Sequence, residues 1–115
     1  MSPLFIFTET PNNNTQAREG VEALLACAAF DQKPTVMFID QGILQLIPQA
    51  DQIGSKNLNK MLQALEIYGV ESIIVCANSL ARFGVKLAEL KPQGKLITLS
   101  ERASIIQHAA WVACF

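Results

Sequence analysis

Charge is what this 115-residue sequence has least of: 17% of its residues are Asp, Glu, Lys or Arg, against about 25% in an ordinary soluble domain. Few ionised groups are then available to keep apolar patches apart, which predicts a subunit whose surface is partly covered by other chains. Basic clusters are missing too, since nine Lys and Arg face ten Asp and Glu for a net charge of −1, and no two basic residues are adjacent. With one Trp and one Tyr to interleave, direct binding to nucleic acid is not expected. Histidine occurs once, at His108, and Cys27, Cys76 and Cys114 form no C-x-x-C pair; neither a zinc site nor a disulfide framework can be built from that spacing. No apolar run approaches the about 20 residues of a membrane span, and Met1 to Glu9 lacks the basic region of a secretion signal. A cytoplasmic protein with no membrane contact, no metal and no cofactor is the expectation.

What is present is apolar: hydrophobic residues make up 50% of the chain, which excludes disorder. The length suits a single domain spanning residues 1–115, large enough to bury a core without staples. Short apolar runs alternate with amphipathic stretches, the pattern of a parallel sheet wrapped by helices. Strands are predicted at Leu4–Thr8, Thr35–Ile39, Ser72–Cys76 and Lys95–Leu99, with a last apolar run from Ala110 to Phe115. Helices are predicted from Thr15, with Val21, Leu24, Leu25 and Ala28 inward, and through Leu58, Met61, Leu62 and Leu65, with Ser55 or Asn57 as cap. A short helix follows at Ala77–Arg82, stopped near Gly84, and a last one runs from a Ser100 cap to about Ala109. The stretch from Gly84 to Pro92 reads equally as loop or brief helix. The expected architecture is α/β: a flavodoxin-like three-layer sandwich with an open five-stranded parallel sheet in the order 2-1-3-4-5. Its switch point would then bring Thr8-Glu9-Thr10 and the loop through Asn14 beside Cys76-Ala77-Asn78-Ser79.

Cys76 is the best-placed nucleophile, because a strand gives way to a helix there and helix amides favour a thiolate. A small core residue at a strand end is the competing reading. Cys27, among alanines, reads as packing; His108, near a helix end, reads as surface; Glu9 is a candidate general base or a solvated carboxylate. A phospho-acceptor domain would need acidic residues clustered at the ends of strands one and three, and Cys76 stands there instead. A flavin site would want a glycine-containing loop after strand one, whereas Thr8 to Thr15 has no glycine and carries Pro11.

Three segments together resemble the DsrE/DsrF-like family, and within it the TusC/DsrF branch: Arg18-Glu19-Gly20-Val21-Glu22-Ala23-Leu24-Leu25-Ala26, then Phe38-Ile39-Asp40-Gln41-Gly42-Ile43-Leu44-Gln45-Leu46-Ile47-Pro48, and Val75-Cys76-Ala77-Asn78-Ser79-Leu80-Ala81-Arg82-Phe83-Gly84. The resemblance implies a subunit of a sulfur-relay heterohexamer with related TusB/TusD-like (DsrH/DsrE-like) chains, passing persulfide sulfur toward 2-thiolation of a tRNA wobble uridine. Dsr-type relatives serve intracellular sulfur oxidation instead. It also implies that Cys76 matches the place of the relay cysteine, which the family credits to the TusD/DsrE-type subunit; a non-catalytic scaffold subunit is the alternative. Alone, the chain could form homo-oligomers. Ile43, Leu44, Leu46 and Ile47 lie between Gly42 and Pro48, more aliphatic residues than a surface loop usually holds, and are expected at a subunit contact unless they tuck under a helix.

Overall fold

Leu4, Phe5, Ile6 and Phe7 are all buried, with no exposed position between them, which a strand achieves only when both faces of its sheet are covered. They form β1 (Leu4–Phe7) in a computed structural model that describes residues 2–10, 15–30, 32–48, 58–70 and 72–115. In chain order there follow α1 (Thr15–Ala29), β2 (Thr35–Phe38), a 3-10 helix (Asp40–Leu46), α2 (Leu58–Gln63), β3 (Ser72–Cys76), α3 (Ala77–Phe83), a 3-10 turn (Leu87–Glu89), β4 (Lys95–Ile97), α4 (Leu99–His108) and β5 (Val112–Cys114). The predicted strands and helices therefore all exist, and the ambiguous stretch before Pro92 resolves into the 3-10 turn. The expected caps Ser55 and Asn57, and the loop residues Pro11 to Asn14, lie outside the described residues. Among the described residues no helix is long and apolar enough to cross a membrane.

All strand pairs are parallel, as expected, but the sheet order is β4-β3-β2-β1-β5 rather than 2-1-3-4-5. β2 sits between β1 and β3 instead of at an edge. The edges go to β4 and β5, the shortest strands at three residues each, which limits the unpaired backbone the sheet exposes. An uninterrupted apolar run such as Thr35 to Phe38 fits any covered strand, so its sequence pattern does not choose its neighbours.

This order determines which face each helix covers. Steps from β1 through β4 all move one way, so right-handed crossovers put α1, the Asp40–Leu46 helix, α2 and α3 on one face; the return from β4 to β5 puts α4 on the other. The first face carries the main core, where Phe5, Phe7, Val36, Phe38 and Val75 meet Val21, Leu24, Leu46, Leu62 and Leu80. Phe7 stacks on Phe38 at 5.3 Å and on Phe115 at 5.8 Å between ring centres. The second face holds a smaller cluster of Leu4, Ile6, Met37, Ile74 and Ile97, packed by Ile105 of α4 and by Ala109, the residue that caps its C-terminus.

Candidate functional site at the carboxyl end of β3

β3 ends at Cys76, which also serves as the N-cap residue of α3. Val75 belongs to the main core and Ile74 to the cluster under α4; because side chains alternate across a strand, Cys76, two residues after Ile74, faces α4 as well. Cys76 pairs with Ile97 of β4, and the neighbouring strand continues from Phe38, the partner of Val75, into Ile39. Its sulfur is fully buried, and Arg102 Nη1 of α4 lies 4.0 Å from it. Thr98 starts α4 with a reciprocal capping box: its hydroxyl accepts the Glu101 N–H at 3.2 Å, and Glu101 Oε1 accepts the Thr98 N–H at 3.1 Å. That cap stands two residues before the expected Ser100, and the S/T-x-x-E signature for it is in the sequence.

On the other side of β3, α3 holds the start of the Asp40–Leu46 helix. Ser79 Oγ accepts the Asp40 N–H at 2.9 Å, and Arg82 Nη1 faces Asp40 Oδ1 at 3.6 Å. Asp40 itself has φ 50, a left-handed conformation that Asp tolerates better than most residues. Two residues on, a Cβ on Gly42 would stand 1.9 Å from the Phe7 carbonyl oxygen, so only glycine lets this helix lie against the end of β1. Gln45 is buried and donates from Nε2 to the Glu9 carbonyl at 2.9 Å, and its Oε1 has no partner among the described residues. Asn59 of α2, buried as well, donates to the carbonyls of Gln45 at 2.9 Å and Lys91 at 2.8 Å, tying three segments together.

The residues singled out in the sequence are thus dispersed. Glu9 and Thr8 follow β1, and because β2 separates β1 from β3 they do not border Cys76, contrary to the expected switch-point arrangement. The Thr8 hydroxyl instead donates to the Phe115 carbonyl at 3.1 Å. Cys27 is half-buried on α1, with its thiol pushed up in pKa by burial, and Cys114 is exposed on β5. His108 is at the surface, its Nδ1 2.8 Å from the Ser104 carbonyl. Of the expected contact residues, Ile43 and Leu46 are fully buried in the chain's own core, and only Leu44 and Ile47 are half-buried. Ile43 and Leu46 are therefore tucked beneath α2 and α3, while Leu44 and Ile47 keep part of their surface. Sequence reasoning missed Arg102. Its spacing from Ile105 and Ala109, at i, i+3 and i+7, was the available signal that it faces the sheet.

The DsrE/DsrF-like family matches residues 1–113. The chain belongs to that family. A Protein TusC homolog from Vibrio parahaemolyticus is 33% identical over 113 residues, covering 96% of each chain. A second Protein TusC homolog, from Vibrio vulnificus, is 27% identical over 113 residues with the same coverage. Among solved structures, the ychN protein from E. coli superposes with a TM-score of 0.84 at 16% identity, covering 100% of both chains. MTH1491 from Methanobacterium thermoautotrophicum, a protein of unknown function, gives 0.71 at 11% identity over 100% of both. Those two structures share the fold of this family member.

Proposed function

We propose that this chain is the TusC-like subunit of a cytoplasmic sulfur-relay complex, assembled with related TusB/TusD-like subunits and serving 2-thiolation of the tRNA wobble uridine. What carries the reading is the likeness to TusC homologues along nearly the whole chain. A cysteine at the end of the buried strand β3 gives that role a chemical group. In the relay step, the Cys76 thiolate attacks the outer sulfur of a donor cysteine persulfide. The donor's S–S bond breaks, the donor thiolate leaves, and the outer sulfur stays on Cys76 as a new persulfide. Leu44 and Ile47 retain surface for a neighbouring subunit to cover.

A second reading has its own observation. Cys76 is fully buried in the isolated chain, as a packing cysteine in a scaffold subunit would be. Intact-mass measurement of the assembled complex after incubation with a persulfide donor separates the two. The relay reading expects one added sulfur on this chain, absent in Cys76→Ser. No adduct under conditions that load a partner subunit assigns this chain the scaffold role. For the pathway, deletion of the gene is expected to lower 2-thiouridine in total tRNA; an unchanged content would overturn the tRNA assignment.

A further inference from the structure

Helix α4 has no buried residue, whereas α1 has five. It meets the sheet through one stripe, Arg102 and Ile105 with the C-terminal cap residue Ala109, and the last two pack on the smaller apolar cluster. The stripe position nearest the carboxyl end of the sheet is occupied by a charged residue where an aliphatic one would bury more area. Arg102 is half-buried, and among the described residues no carboxylate pairs with it. Its contact is the Cys76 sulfur, at 4.0 Å. Desolvating part of a guanidinium without a carboxylate is unfavourable unless another group supplies the counter-charge.

We infer that Arg102 is the positioning residue of Cys76: its side chain screens the sulfur in the resting chain, opening of α4 admits the donor, and its charge pairs with the anionic sulfur species left on Cys76 once α4 closes again. The proposal deepens the relay reading and rests on it for the identity of that species, a perthiolate. The screening itself depends only on this chain's geometry. Arg102 is separated from Cys76 by 26 residues, and α4 is the element whose weak anchoring permits the motion.

The test is alkylation of the full chain by a neutral reagent, iodoacetamide, and an anionic one, iodoacetate, with each cysteine followed by peptide mass spectrometry. Cys114, exposed, and Cys27, half-buried, are internal references. In Arg102→Ala the iodoacetamide rate at Cys76 is expected to rise about tenfold with both references unchanged, as for removal of a local cover. The preference of Cys76 for iodoacetate over iodoacetamide is expected to fall in Arg102→Ala and to return in Arg102→Lys, a response that loss of packing alone would not give. An unchanged Cys76 rate, or a parallel rise at Cys27 that marks general loosening, overturns the screening. A reagent preference indifferent to the charge at this position overturns the charge role. Because no sulfur donor is involved, these outcomes are independent of whether Cys76 carries sulfur.

Discussion

On one face of the sheet, Phe5, Phe7, Phe38 and Val75 lie beneath three helices and the Asp40–Leu46 segment, whose inward side chains Val21, Leu24, Leu46, Leu62 and Leu80 are all buried. On the other, Leu4, Ile6, Met37, Ile74 and Ile97 meet one helix whose inward residue Ile105 and C-terminal cap residue Ala109 are only half-buried. The strands are shared, so the contrast lies in the covering layer. Interdigitated side chains hold the first layer, and each would leave a cavity if shortened. The second is held by a capping box and a narrow stripe, so α4 is expected to open at lower cost than the first layer. Cys76 faces that second layer, which places the one buried cysteine of the chain beside the α-helix that has no buried residue.

The contrast can be broken hardest from the first side. Leu46→Ala is expected to cost about 2–5 kcal/mol, because Leu46 is fully buried and its neighbours can collapse only partly; urea unfolding measures it. A cost below about 1 kcal/mol would mean that this segment is not part of the core. Gly42→Ala comes next, at about 1–3 kcal/mol for overpacking against the rigid Phe7 carbonyl, read by the same denaturation midpoint. Thr98→Ala sharpens the contrast from the other side. Loss of the cap is expected to cost about 1 kcal/mol, and hydrogen exchange should accelerate in α4 while the amides of α1 keep their protection. Equal acceleration in both helices would show that the two layers open as one unit.

Much of the fold was legible in the sequence because local signals agree with the final state. The β3 boundaries Ser72 and Cys76 coincide with the apolar run, and Gly84, at φ 66, closes α3 where the glycine stands. The Asp40–Leu46 helix was harder. Its spacing is that of a 3-10 turn rather than an α-helix, and apolar residues such as Ile43 and Leu46 look alike whether they face a partner or the core. The candidate site was legible only in half. Cys76 stood out by its place at a strand end, whereas nothing in the linear sequence joins it to Arg102.

The sequence by itself determined the alternation of strands and helices, the parallel sheet and the cysteine at the end of β3, because hydrophobic periodicity and capping residues act over a few neighbouring positions. Tertiary structure alone decided that β2 lies between β1 and β3, that Ile43 and Leu46 fill the chain's own core, and that Arg102 lies beside Cys76. Those choices depend on contacts between distant segments. An apolar run states that it will be buried, and only the packed chain settles against what.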